Sequence, residues 1–169
     1  MLSISPWVEK HVPLIPKARP VLDVACGGGR HSLHLLKLGY EMVSVDVETT
    51  AITTYKDLPG LSIVRADLEK DPWPFAENTF ASIVVVNYLW RPLLPDLCAS
   101  LMPGGVLLYD TFARGNEKYG RPSNPDFLLK QRELQETLED ELEILDFFDG
   151  FVDTPTPACR QSIAARKPY

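Results

Sequence analysis

Val21-Leu22-Asp23-Val24-Ala25-Cys26-Gly27-Gly28-Gly29-Arg30-His31-Ser32 is the stretch whose reading decides the rest of the chain. Val21 to Ala25 is a short apolar run with one acid inside it, which suits a buried parallel strand. The three glycines that follow have no Cβ atoms, so backbone can pass close beneath a ligand. From Arg30 to Leu38 the residues Leu33, Leu35, Leu36 and Leu38 suit a helix packed on a sheet, and Gly39 ends it. Strand, glycine turn and helix in that order form the nucleotide-binding opening of a doubly wound sheet.

Two kinds of ligand suit such a bend. Dinucleotide-binding turns follow G-x-G-x-x-G, whereas Gly27-Gly28-Gly29-Arg30-His31-Ser32 has Ser32 in place of the third glycine. Asp23 argues further against a pyrophosphate, because a carboxylate beside the bend repels phosphate and attracts an ammonium group. S-adenosylmethionine carries an ammonium and a sulfonium and no phosphate. The run from Asp23 to Gly29, D-x-A-C-G-x-G, resembles the first motif of class I S-adenosylmethionine-dependent methyltransferases. That resemblance implies an α/β, doubly wound, Rossmann-like fold with a seven-stranded, mostly parallel sheet and an antiparallel last strand. It also implies S-adenosylmethionine as cofactor, contacted by Asp23, Ala25, Cys26, Gly27 and Gly29.

Size and composition fit this reading. The 169 residues suffice for one sizeable core and leave no room for a second catalytic domain, so 1–169 reads as a single domain with 1–20 as a lead-in. Hydrophobic residues make up 45% and mean hydropathy is −0.07, values of a globular chain. No apolar stretch approaches the roughly 20 residues that span a bilayer. Met1 to Lys10 has neither a basic start nor an apolar h-region, so no secretory signal is expected. Three cysteines, Cys26, Cys98 and Cys159, are too sparse and odd a set for a disulfide framework and fit a reducing cytoplasm. The net charge of −6 and the lack of a Lys/Arg run point away from nucleic acid and toward a small-molecule acceptor. Composition leaves the oligomeric state open.

Leu2 to Lys17 reads as a short helix and a lead-in covering one edge of the site, with His11 as an exposed residue of no particular role. Met42 to Val47 reads as the second parallel strand, with Asp46 at its carboxyl end. An acid there can accept two hydrogen bonds from ribose hydroxyls. The resemblance assigns that role to Asp46, with Val47 beside it and Glu48 as the adjacent alternative. A short helix over Ala51 to Leu58 and a third strand, Leu61 to Arg65, precede Asp67-Leu68, which resembles the family's adenine contact. Ser82 to Val86 is a continuous apolar run, hence a central strand buried on both faces. Asn87, Tyr88, Trp90 and Arg91 follow at its carboxyl end, where open α/β sheets keep their sites. Asn87 and Tyr88 are expected beside the cofactor. Trp90 and Arg91 are candidates for the acceptor, alongside Arg30 and His31 of the first motif.

A short helix, Leu93 to Leu101, leads into Leu101-Met102-Pro103-Gly104-Gly105, which resembles the Leu-x-Pro-Gly-Gly turn before the family's fifth strand. The strand itself is expected over Val106 to Asp110. Residues 113–125 form a long polar loop rich in Gly and Pro, a candidate substrate lid carrying Arg114, Tyr119 and Arg121. Asp110-Thr111-Phe112, with Gly120 to Leu129, resembles small bacterial methyltransferases of the tellurite-resistance type. Glu133 to Glu141 reads as an acidic helix, Leu142 to Phe148 as a sixth strand and Ser162 to Arg166 as the last, starting as early as Ala158. Two strands joined without a helix pair antiparallel, unlike an all-parallel dehydrogenase sheet.

The chemistry implied is an in-line methyl transfer that needs a general base only when the acceptor arrives protonated. A thiol as thiolate, or an oxyanion of selenium or tellurium, needs none. Cys26, His31 and His34 do not converge as a zinc site would, so no metal is expected. No G-x-S-x-G elbow is present. The remaining alternatives are an NAD-dependent oxidoreductase and a non-catalytic domain that binds S-adenosylmethionine without turnover.

Overall fold

The computed structural model describes residues 3–169. Met1 and Leu2, which begin the expected lead-in, lie outside the described residues. Seven strands form one sheet: β1 (Val21–Val24), β2 (Met42–Asp46), β3 (Leu61–Arg65), β4 (Phe80–Val86), β5 (Leu101–Phe112), β6 (Glu143–Val152) and β7 (Ala158–Arg166). Their order is β3-β2-β1-β4-β5-β7-β6. The first five strands pair in parallel, and β7 enters antiparallel between β5 and β6. The expected fold class therefore holds, antiparallel end included.

Side-chain alternation along each strand divides the core into two layers. Leu22, Val24, Ile83, Val85, Leu107, Tyr109, Ile163 and Ala165 face one side. There they meet α4 (Leu94–Ser100) through Leu94, Leu97 and Cys98, and α5 (Glu133–Leu138) through Leu134 and Leu138. Val21, Val84, Val106, Leu108 and Ala164 face the other side. They are covered by α1 (Pro6–His11) through Val8 and by α2 (Arg30–Lys37) through Leu35. This second face is the one that carries polar groups inward: Asp23 is buried beneath α2, and Asp110 and Ser162 are buried beneath the N-terminal segment.

Several boundaries differ from expectation for local reasons. The helix expected over Ala51 to Leu58 is a single turn, α3 (Thr50–Thr53), that continues as turns to Pro59-Gly60. β5 runs for 12 residues because pairing with β4 resumes on both sides of the Pro103-Gly104-Gly105 bend, where Gly104 takes φ +79° and the register shifts between Phe80–Leu101 and Ser82–Val106. A Cβ at Gly105 would sit 2.8 Å from the Met102 carbonyl oxygen, so the strand can pass there only without a side chain. His11 is the clearest correction. It is 5% exposed, with Nδ1 at 2.7 Å from the Trp7 carbonyl and Nε2 at 2.8 Å from Asp146 Oδ2. It thus ties α1 to β6, and Lys10 and His11 together hold the Asp146 carboxyl below its usual range.

The glycine bend depends on one position most. Gly29 caps α2 at φ +83°, and an added Cβ would stand 2.7 Å from Ile52 Cδ1. Gly29→Ala is expected to destabilise the fold by about 1–3 kcal/mol in urea denaturation, the range for a non-glycine residue held in this region. Adding Ile52→Val should leave the backbone part of that loss in place.

Candidate functional site

The bend between β1 and α2, the tip of β4 and the start of α3 surround a cavity of about 630 Å³. Asp23, Ala25, Cys26, Gly27, Arg30, His31 and Asn87 line it, joined by Gly28, Val86, Ala51 and Tyr55. No sequence motif marks Ala51 or Tyr55, which enter the wall because α3 and the turn after it lie beside the bend.

Asp23 lies at the floor, 2% exposed. Its Oδ2 accepts from the Ser32 backbone N–H at 3.1 Å and from Ser32 Oγ at 2.6 Å, while Oδ1 accepts from no described residue. Burial pushes its carboxyl up to about 6, against the pull of the Ser32 hydrogen bonds and of Arg30. A buried carboxylate with an unused oxygen on a cavity wall is a seat for a cation. Asp46 does not line the cavity itself but is hydrogen-bonded to its glycine bend: Oδ2 accepts from Gly27 N–H at 2.8 Å and Oδ1 from Glu48 N–H at 2.9 Å. A Cβ at Gly27 or Gly28 would meet nothing within 4 Å, so the backbone there borders open space. An acid under the bend, an acid at the next strand tip and bare backbone between them fit the ammonium, ribose and nucleoside of S-adenosylmethionine.

Backbone strain collects at the same place. Ala25 (φ 52°) and Asn87 (φ 57°) end the neighbouring strands β1 and β4 in the left-handed region. Such residues persist only where the surroundings hold them, and they are frequent at binding sites. The Cys26 thiol is buried, and burial together with Asp23 and Asp46 drives its ionisation far up, which removes it as a nucleophile. His31 is 4% exposed, and its Nε2 accepts the Ser5 backbone N–H at 2.9 Å. Burial and the nearby Arg30 hold its imidazole down at about 4, so the ring is neutral and its lone pair is already used.

The other expected residues fall as follows. Val47 is 56% exposed past the end of β2, Leu68 is buried in the core, and Asp67 accepts from Glu69 N–H. Tyr88 is half-buried, its hydroxyl 3.5 Å from Glu69, and burial raises its phenol well above the ordinary value. Of the acceptor candidates, Arg30 and His31 line the cavity and four others do not. Arg91 is held 3.1 Å from Glu133 and donates to the carbonyls of Asp126 and Leu128. Trp90 packs against the core. Arg114 borders a separate hollow with Leu129, Lys130 and Asp149, and the Tyr119 ring packs at a tilt against Phe151, centroids 5.0 Å apart. The 113–125 loop is latched to β7, because the buried Asn116 accepts from Cys159 N–H and donates to the Pro122 carbonyl.

Sequence reasoning missed a polar cluster on the β5–β7 face. Asp110 accepts from Ser5 Oγ at 2.6 Å, Ser162 Oγ at 2.8 Å and Arg160 Nε at 2.9 Å. One signal was present: Arg160-Gln161-Ser162 interrupts with polar groups a strand that is otherwise buried.

Residues 21–105 match the model of a family described as a methyltransferase domain. A probable S-adenosylmethionine-dependent methyltransferase of Mycobacterium tuberculosis is 30% identical over 159 residues, covering 87% of this chain and 56% of that protein. The chain thus spans about half the length of the curated relatives it matches. TehB from Haemophilus influenzae superposes with a TM-score of 0.77 at 22% identity, over 99% of this chain and 63% of that one. A SAM-dependent methyltransferase from Methanosarcina mazei gives a TM-score of 0.71 at 18% identity, over 99% of both chains. The last two likenesses concern the fold alone. With the family model covering half of its length and an acid-flanked glycine bend at the tip of its first strand, the chain belongs to the class I S-adenosylmethionine-dependent methyltransferase family.

Proposed function

We propose that the protein transfers the methyl group of S-adenosylmethionine to a small-molecule acceptor that arrives already ionised, such as a thiolate or an oxyanion of tellurium or selenium. The observation that carries this reading is that no base around the cavity, among the described residues, is left for the acceptor once Asp23 and Asp46 are given to the cofactor. His31 spends its lone pair on Ser5, Asp110 is engaged by three donors including the Arg160 guanidinium, and Cys26 is held as a thiol.

The cofactor supplies an activated methyl on sulfonium, so the chain's own contribution is alignment. Proximity of this kind is worth roughly 7–11 kcal/mol of barrier. Asp23 is assigned the ammonium, Asp46 the ribose hydroxyls and the bare backbone of Gly27 and Gly28 the close approach. Asp67 and Leu68 are assigned the adenine, with Asn87 and Tyr88 at the methyl end. Arg30 and His31 border the same cavity, and His31 acts by anchoring the N-terminal segment through Ser5.

Calorimetry with S-adenosylhomocysteine and with NADH tests the cofactor assignment. Micromolar binding of S-adenosylhomocysteine is expected, and micromolar binding of NADH alone would overturn the reading. A panel of thiols and oxyanions with radiolabelled methyl donor separates an enzyme from a domain that binds without turnover. Asp46→Ala is expected to weaken S-adenosylhomocysteine binding by roughly 1.5–3 kcal/mol, the range for hydrogen bonds to charged groups. Unchanged affinity in a folded variant would remove Asp46 from the site.

A further inference from the structure

A second cavity, of about 470 Å³, opens beside the first and shares Arg30, Val86 and Asn87 with it. Its walls come from the N-terminal segment, the tips of β4 and β5, and the β6–β7 hairpin. Trp7, Phe112, Phe148, Val152, Pro155 and Ala158 make most of that wall apolar. A single-centre oxyanion or a short thiolate would fill a small part of such a volume, whereas cavities of several hundred Å³ hold organic molecules of drug-like size. Size therefore calls for an organic body.

Charge gathers at one end. The Arg160 guanidinium lies over the Phe112 ring at 4.6 Å. Its Nε donates to Asp110 Oδ1, and its Nη2 donates to Asn87 Oδ1 at 2.7 Å and to the Asp110 carbonyl at 3.1 Å. Its Nη1 donates to no described residue. Arg30, on the same wall, donates Nη1 to the Ser3 carbonyl at 2.8 Å and forms no ion pair among the described residues. The wall thus carries two guanidiniums and one carboxylate, and that carboxylate already accepts from Ser5, Ser162 and Arg160. Because Asn87 belongs to both cavities and accepts from Arg160 Nη2, the guanidinium lies beside the residue that joins them.

Resting on the methyl-transfer reading, we infer that this second cavity is the acceptor site and takes an organic anion with an apolar body, its ionised sulfur or oxygen held by Arg160 beside Asn87. A guanidinium at that point favours the ionised form of the incoming group, which accounts for a site without a general base. A lone pair of the acceptor forms the new bond to the methyl carbon as the sulfonium C–S bond breaks. The electron pair of that bond stays on sulfur, and no proton moves.

The test is calorimetry of the full chain saturated with S-adenosylhomocysteine, titrated with naphthoate, naphthalenethiolate, the neutral naphthalenemethanol and tellurite. The two apolar anions are expected to bind at least about tenfold more tightly than the neutral compound, as a charge-assisted contact implies. Thr156→Trp, at an exposed position on the rim, should abolish their binding and leave S-adenosylhomocysteine affinity unchanged. With labelled S-adenosylmethionine, methyl label is expected on at least one of the two anions, and the one that receives it identifies the accepting atom. Equal binding of the neutral compound, label on neither anion, or tellurite methylated equally by wild type and Thr156→Trp would each overturn the inference while leaving the cofactor reading intact. A chain that does not hold S-adenosylhomocysteine at all would overturn both.

Discussion

Asp110→Ala is expected to destabilise the protein by about 3–5 kcal/mol in urea denaturation, the cost of leaving one member of a buried ion pair without its partner. Asp110 is 4% exposed and receives Ser5 Oγ, Ser162 Oγ and Arg160 Nε on its two oxygens. Its removal strands a guanidinium whose side chain is itself largely buried, and it unfastens Ser5 from the sheet. Asp110→Asn keeps an acceptor and should cost less. The double variant Asp110→Leu with Arg160→Met should recover much of the loss, because well-packed apolar residues replace buried ion pairs at little cost. A loss below about 1 kcal/mol for Asp110→Ala, the level of an exposed pair, would mean that Arg160 reaches solvent easily and that the cluster does not hold the N-terminal segment.

Asp23→Asn is expected to weaken S-adenosylhomocysteine binding by about 2–5 kcal/mol, the range for truncating one partner of a buried charged contact. The wild-type chain adds a pH signature. With its carboxyl pushed up to about 6 by burial, Asp23 gains a proton as pH falls through that value and stops attracting an ammonium. Affinity should fall about tenfold between pH 7 and pH 5, and this dependence should vanish in Asp23→Asn. Stability without ligand moves the other way. The native state holds a proton between pH 6 and 4 that the unfolded chain releases, so this group's contribution worsens as pH rises through that window. At pH 7, Asp23→Asn should therefore stabilise the ligand-free fold, by up to about 3 kcal/mol, provided the asparagine oxygen keeps both Ser32 hydrogen bonds.

His31 has the opposite sign. Its imidazole is held down at about 4, so the unfolded chain takes up a proton between pH 6.5 and 4 that the native state refuses, and stability falls with acid. In the wild type the two groups oppose each other between pH 6 and 4. In Asp23→Asn the acid sensitivity of His31 should stand alone. Urea titrations of both proteins across pH 4 to 7 check this: parallel curves would remove Asp23 from the account, and a flat curve for Asp23→Asn would remove His31. A carboxylate that costs stability in order to bind a cation is the usual compromise of a binding site.

How the chain divides between local and distant information follows from these residues. The bend was legible because a strand, three glycines and a helix are written in consecutive positions, and Asp23 sits among them. The seven strands and the antiparallel end were legible for a similar reason: apolar runs mark strands, and two runs without a helix between them must pair antiparallel. His11 was misread because its partner, Asp146, is 135 residues away. Arg91, Trp90, Arg114 and Tyr119 carry side chains suited to a substrate, yet the fold spends them on Glu133, the core, a separate hollow and Phe151.

The second cavity was invisible for the same physical reason. Ser5, Asp110 and Arg160 meet only because β7 inserts beside β5 and α1 covers that face, joining segments 105 and 50 residues apart. Sequence by itself determined the class of the fold and the acid-flanked bend, since both rest on neighbouring residues and on periodicity. Tertiary structure alone decided which strand tips face each other, and with that which charges line the second cavity.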